Sequence, residues 1–544
     1  MFEAVKRDGL ARTGLYTDKS GEIFNTPAAV DADKIFPDIL EHEFSNIPLF
    51  ANKKFVDNSS QEYKDIIFIH PESENKGSSG DCLIAANWHT ILENPKYYVE
   101  LLLKMKAANP SDTAWYAPAC ALPSNAASLI SSGFDIFDYR AVDLKSAQGI
   151  FCTADGEFPA EEWFEKGLCR CSGCIKGSLF EHNRNALETE IETVKSFLRD
   201  GHLRELLERR CRNTASQVSI LRLFDKSYDF IEPRVAVSRN KRLYANSGES
   251  LKRPEVKRFV ERVIERFVPS RTDIAILIPC SAKKPYSASQ SHMKFQSAIQ
   301  NRAHEIIITS PLGIVPRELE RIYPAGHYDV PVTGYWDGEE RAFITDAIAR
   351  YFVKNRYEKV FVHLDGDSFE IAKAALERSN TEYECTATER LTSNESLKKI
   401  DEALKFSKKK GPNLIKGTLS YQFGFDADTS NLQLKGKFLR EKVIMGKKQL
   451  FSLDPETGFM RPTFEGWSLI ESGYRVYIDN FIPQGDILAP GVVNCDPSIR
   501  EGDEVFVIGE KAVATGRAAM GASEMCSSKR GVAVRVRKVK KLKD

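Results

Sequence analysis

The 544-residue sequence has no excess of charge of either sign: 77 Lys and Arg stand against 76 Asp and Glu. A chain so balanced is not a general polycation, so any surface for nucleic acid must be local. Long hydrophobic runs are missing too. No stretch approaches the roughly 18 apolar residues of a membrane span. The opening MFEAVKRDGLAR lacks the apolar centre of a secretory signal. These absences predict a soluble, cytoplasmic chain with no membrane partner. There is no internal repeat, no low-complexity block and no GxxxxGKS/T loop for ATP. Apolar content is 42%, enough for real cores. The length suits about three or four domains. Eleven cysteines in an intracellular chain point to thiols, metal ligands or catalysis rather than a disulfide framework.

The patterning is that of an α/β multidomain protein. IIFIH, TAWYAPA and FDIFDYR read as strands and NPKYYVELLLKMKAAN as a helix. LETEIETVKSFLRD carries apolar residues at 187, 191, 194 and 198 and stops at Gly201. After the amphipathic segment PEVKRFVERVIERFVP, the runs DIAILIP, HEIIITSP and EKVFVHLDGD read as buried parallel strands. ERAFITDAIARYFVKN and DSFEIAKAALERS read as the helices between them. KFSKKKGPN is a charged linker or loop, and strand-and-turn sequence follows it.

Three stretches carry chemistry. The first is CRCSGC, with Cys169, Cys171 and Cys174. Three thiolates at this spacing plus one imidazole suit a closed tetrahedral Zn²⁺ site, which is structural because no position is left for substrate. His182 and His202 are the candidates for the fourth ligand. The second stretch is the Gly-rich end, where eight Lys and Arg follow from Lys529 against the single acid Asp544. Its turn signals predict a small β-barrel. Alternation in VAVRVRKVKK puts valines on one strand face and Arg535 and Arg537 on the other. With Lys529 and Arg530 they form a basic face suited to phosphate contacts.

The third stretch, PCSAKKPYSASQSH, spans 279–292. It follows DIAILI, so it lies where a buried strand ends and a helix begins, the side of an α/β sheet on which ligands bind. Cys280 is the candidate nucleophile. Ammonium groups at Lys283 and Lys284 and the coming helix N-terminus favour its thiolate. His292 is the candidate for proton transfer, and Tyr286 and Ser289 can hold a ligand. In SPLGIVPRELERIYPAGHYDVPVTGYWD, Arg317, Glu318, His327, Tyr328 and Asp329 are candidates for holding substrate, and HLDGD lies at a further strand end.

These stretches also carry a resemblance. CRCSGC followed by EHNRNALETEIETVKSFLRDGHLRELLERR resembles the zinc subdomain of archaeal tRNA-guanine transglycosylases, as do RDGLARTG and SGFDIFDYRA. That family implies His182 as the fourth ligand and a (β/α)8 barrel, here shortened because only 168 residues precede Cys169. It places Asp138 at the nucleophilic aspartate; the early aspartate has no counterpart, which argues for a retained structural role. APGVV, GDEV, AVATGRA and KRGVAV resemble a PUA domain, an RNA-binding module. Pro279, Cys280, Lys284, Pro285, Tyr286, Ser289 and His292 fit the central motif of the archaeosine synthase family. The resemblance implies addition of an amine, with lysine as donor, to the nitrile of 7-cyano-7-deazaguanine at position 15 of tRNA. It also implies a radical-SAM partner enzyme and, by analogy with the transglycosylases, a homodimer.

The expected organisation is a degenerate transglycosylase-like barrel over 1–165, a zinc subdomain over 166–212 and a helical connector over 213–269. A catalytic α/β domain over 270–403, a small α+β domain over 404–472 and a PUA domain over 473–544 complete it. The alternatives are a transglycosylase that exchanges the base and a non-catalytic tRNA-binding subunit.

Overall fold

The computed structural model describes residues 1–18, 20–31, 66–72, 80–239, 241–330, 335–388 and 390–542. Part of the expected barrel region, and positions 331–334 of the segment that follows Ser310, therefore lie outside the described residues.

The N-terminal unit is a five-stranded parallel sheet in the order Ala28–Val30, Ile136–Asp138, Ala114–Ala117, Cys82–Ala85, Ile66–Ile69. Successive side chains leave opposite faces of a strand. Phe68, Ile84 and Tyr116 pack against Phe2 and Tyr16 of an N-terminal antiparallel sheet. Ile69, Leu83 and Trp115 pack against helices through Leu102, Leu187 and Val194. Burial on both faces is why these strands read as unbroken apolar runs. Among the described residues the sheet is an open row of five, not the eight of a full barrel. It continues into the 22-residue helix Leu179–Asp200, capped by Ser178 and ended by Gly201 at φ 77°.

The central sheet has five strands in the order Gly313–Pro316, His304–Thr309, Ile274–Pro279, Lys359–Val362, Glu384–Cys385. All but the antiparallel edge strand Gly313–Pro316 run parallel. Chain order reverses on the two sides of Ile274–Pro279. That strand is the switch point, and in open α/β sheets ligands bind outside the carboxyl end at such a point. A four-stranded antiparallel sheet over 433–462 and a six-stranded sheet over 475–541 follow. These last two pack on one shared core that includes Leu419, Phe451, Trp467, Val476, Val507 and Val534. No helix among the described residues is long and apolar enough to cross a membrane.

A buried ion chain fastens the N-terminal unit to the central one. Arg239 pairs with Asp8 at 2.6 Å and with Glu255 at 3.0 Å. Arg253 pairs with Glu255 at 3.4 Å and with Glu205 at 2.9 Å. Burial pushes the Glu205 carboxyl up, but the Arg253 charge together with hydrogen bonds from Arg253 and the Tyr244 N–H outweighs it and holds the group below its ordinary value. A depressed carboxylate adds stability above its unfolded pKa that is lost as pH falls through the acid range. Arg253→Ala leaves two buried carboxylates short of a partner. The expected cost is roughly 3–5 kcal/mol, read as a lower denaturant midpoint at neutral pH, with the gap to the unsubstituted protein closing on acidification.

Candidate functional site

The stretch 279–292 forms the loop at the switch point. Pro279 has no N–H to extend the ladder, so the strand ends there. The loop runs to Ser289, whose hydroxyl accepts the His292 N–H at 3.3 Å and caps the helix Gln290–Ile299. Three anchors hold it. Tyr286 is fully buried, its hydroxyl 2.6 Å from that of Tyr328, which lies 2.5 Å from Thr309 Oγ1 at the end of the next strand. The Ser287 N–H donates to Glu320 at 2.8 Å. The His292 ring accepts at Nδ1 from Arg317 at 2.9 Å. Ala282 and Lys283 at the tip stay exposed, while Cys280 and Lys284 are half-buried.

Lys284 sits with Nζ 4.0 Å from the centre of the Tyr328 ring. Burial lowers its pKa, against the pull of Cys280 and Asp329. Cys280 also interacts electrostatically with Tyr286 and Tyr328. The structure thus brings Cys280, Lys284, Tyr286, Tyr328 and Asp329 to one end of the sheet. A half-buried amine with a lowered pKa beside an accessible thiol can carry nucleophilic and proton-transfer chemistry.

Other candidates are placed differently. His292 is fully buried and held down to about 3 by burial and by Arg317. Because arginine only donates, the ring proton is on Nε2. A ring so enclosed orients the loop. Arg317 is spent on Glu305 and on Glu320, 2.8 Å away. Glu318 is bonded to His304 at 3.0 Å and to Ser270 at 2.7 Å. His304 opens its strand, so Glu318 lies at the amino end of the sheet, away from Cys280. His327 is half-buried, with Arg242 and Asp454 as charged neighbours, and burial lowers its pKa. His363 of HLDGD is buried between Thr386 and the Leu391 carbonyl.

Two participants escaped the sequence reading. Thr309 looks like an ordinary strand terminus. Arg242 lies in the connector, and only the parallel pairing of Leu243–Tyr244 with Tyr328–Asp329 carries it to 3.3 Å from Asp329.

Cys169, Cys171, Cys174 and His182 converge, their ligand atoms all within 4.8 Å of one another, and could hold a metal ion. His182 Nδ1 lies 3.4 Å from both Cys171 Sγ and Cys174 Sγ. Its Nε2 donates to the Cys152 carbonyl at 3.0 Å, which leaves Nδ1 deprotonated and facing the thiols. Phe151 stacks on the ring at 3.6 Å between centroids. His202 lies outside the cluster, 3.7 Å from Glu205. Asp138 is buried and saturated, accepting from the Tyr116 hydroxyl at 2.6 Å and from the N–H groups of Ala119 and Arg140. That suits a structural group.

On the C-terminal sheet Arg535 is exposed, while Arg537 is held bidentate by Glu504 at 2.8 and 2.9 Å. The turn before it docks on the N-terminal unit: the Lys529 N–H donates to Asp112 at 2.7 Å and Arg530 pairs with Asp81 at 3.1 Å. The Lys529 side chain is exposed.

The close packing at the cluster gives a test. A Cβ on Gly173 would meet the His182 nitrogen at 2.3 Å, whereas one on Gly248 meets nothing within 4 Å. Gly173→Ala is expected to lower bound metal per chain, measured by elemental mass spectrometry, while Gly248→Ala leaves it unchanged.

A family model described as "Domain of unknown function (DUF5591)" matches residues 256–404, and the PUA domain model matches residues 476–540. The archaeosine synthase subunit alpha of Methanosarcina acetivorans is 40% identical, over 86% of this chain and 81% of that protein. The archaeosine synthase of Haloferax volcanii is 33% identical, over 99% of each. A tRNA-guanine(15) transglycosylase of Methanococcus maripaludis is 24% identical, over 82% of this chain and 69% of that protein. With a thiol loop at the switch point, a Cys3His cluster and a C-terminal PUA domain matched over this extent, the chain belongs to the archaeosine synthase family.

Proposed function

We propose that this chain is a tRNA-modifying enzyme of archaeosine biosynthesis. It adds an amine, with lysine as donor, to the nitrile of 7-cyano-7-deazaguanine at position 15 of tRNA. The relatives named archaeosine synthase and tRNA-guanine(15) transglycosylase, together with the PUA domain, support the tRNA and the pathway. The observation that carries the chemistry is the half-buried Cys280 on an anchored loop at the switch point, beside Lys284.

The Cys280 thiolate adds to the nitrile carbon, and the nitrile nitrogen takes a proton to give a thioimidate. The lysine amine attacks the same carbon, loses a proton and expels the thiolate. The product is an amidine, formed by net addition of an N–H across the nitrile. Covalent catalysis divides one difficult addition into two easier steps. Lys284, with its lowered pKa, supplies and recovers the proton. Asp329 and Arg242 offer opposite charges at the mouth of the site for a zwitterionic amino acid. His292 and Arg317 position the loop. Cys169, Cys171, Cys174 and His182 hold a structural Zn²⁺ that stiffens the start of helix Leu179–Asp200. The C-terminal cations Lys529 and Arg535 contact RNA phosphate. A second enzyme, of the radical-SAM class, then cleaves the lysine adduct. That the Methanosarcina acetivorans relative is called a subunit supports such a partner. The saturated, buried Asp138 weighs against base exchange.

The test is direct. The protein is incubated with tRNA bearing the 7-cyano base and with lysine, and the digested nucleosides are weighed. A nucleoside heavier by the mass of lysine is expected. Cys280→Ala should lower its rate by several orders of magnitude while tRNA binding persists. An unchanged nucleoside mass with folded protein contradicts the proposal.

A further inference from the structure

A cleft of about 740 Å³ lies between the N-terminal antiparallel sheet, the end of helix Leu179–Asp200, the connector and the PUA sheet. Seven Lys and Arg side chains line it against four Asp and Glu. Several of these cations are already engaged: Arg7 with Glu524, Arg239 with Asp8, and Arg517 with Asp454. Arg199, Lys241 and Arg535 have no ion-pair partner among the described residues. Each is exposed, and each comes from a different segment: the helix end, the connector and the last strand. Of the acids, Asp8 is neutralised by Arg239. Burial lifts Glu501 to about 7, which weakens the opposing charge near neutral pH.

The cleft also leads to the reactive loop. Lys241 lines it, and the next residue, Arg242, pairs with Asp329 at 3.3 Å. Leu243–Tyr244 then pair with Tyr328–Asp329, and Tyr328 carries Lys284 over its ring. One connector segment therefore forms both the wall of the cleft and the edge of the Cys280 site. The two remaining acids, Glu3 and Asp200, are exposed, and cations still outnumber acids in the lining. Three exposed cations from three different segments match a repeating anion, and such contacts supply affinity without reading sequence.

We propose that this cleft carries the phosphate backbone of the tRNA, so that a strand passing between the N-terminal unit and the PUA sheet is led along the connector to Cys280. The inference rests on the tRNA reading above. It adds Arg199 and Lys241 to the RNA-contacting residues and gives the connector a binding role.

Fluorescence anisotropy with an unmodified tRNA transcript and the full chain, over a salt series, tests it. The triple variant Arg199→Ala/Lys241→Ala/Arg535→Ala is expected to bind on the order of tenfold or more weakly, with a salt slope shallower by about two to three. A control variant, Lys398→Ala/Lys399→Ala/Lys409→Ala, removes the same charge from exposed positions elsewhere and should bind as the unsubstituted chain does. Arg535→Glu alone should weaken binding in the same direction. All these residues are exposed, and matched thermal unfolding checks the fold. Unsubstituted protein that binds tRNA with an affinity and slope the triple variant leaves intact overturns the cleft alone. Equal losses in the triple and control variants also overturn it. Unsubstituted protein with no affinity for tRNA overturns the tRNA reading and the cleft together.

Discussion

Arg317 donates at once to Glu305, to Glu320 and to the ring of His292, and Glu320 accepts the Ser287 N–H in turn. One buried guanidinium therefore ties the edge strand, the second central strand and the C-terminal part of the loop to a single point. Removing one partner from such a cluster leaves uncompensated charge in a low-dielectric interior, at a cost of roughly 3–5 kcal/mol. The loop is rigid where it must be, at Tyr286, Ser287 and His292, and open at Ala282 and Lys283. A thiol on a loop anchored this way stands at the switch point without having to be ordered by a ligand.

The same physical device recurs at the other histidine that matters. His182 is buried, its Nε2 proton is committed to the Cys152 carbonyl, and the remaining nitrogen faces three thiols. At both sites a backbone or guanidinium partner fixes the tautomer and burial favours the neutral ring. His182 is thereby prepared to bind a metal and His292 to accept from Arg317. The units that carry the two sites are fastened by the ion chain Asp8–Arg239–Glu255–Arg253–Glu205, which joins the N-terminal unit, the connector and the helix before the central sheet.

Much of this was legible in the sequence. DIAILI, HEIIIT and KVFV announced buried strands because both of their faces are covered, and PCSAKKPYSASQSH declared itself by placing reactive side chains at a strand end. CRCSGC fixed three ligands by spacing alone. What could not be read is what depends on long-range pairing. Arg317 and Glu318 are neighbours in the chain, yet one bonds to Glu305 and to His292 of the loop helix while the other is bonded to His304 and Ser270. Their different partners, the consecutive residues Glu305 and His304, follow from the register of the antiparallel edge strand, which no local pattern reveals. His292 looked like a proton carrier because its residue type and position fit, but its exposure is set by packing against Tyr286 and Phe295. Arg537 looked free on its strand face until Glu504, two strands across the sheet, claimed it.

The account's central claim is that Cys280 bonds to the nitrile carbon. It is tested most directly by mixing the protein with tRNA bearing the 7-cyano base in the absence of lysine, quenching, digesting with nuclease and protease, and weighing the Cys280 peptide. The account predicts a peptide heavier by the modified nucleotide, which disappears when lysine is added before the quench. An unmodified Cys280 peptide from protein that still forms the lysine adduct would contradict it.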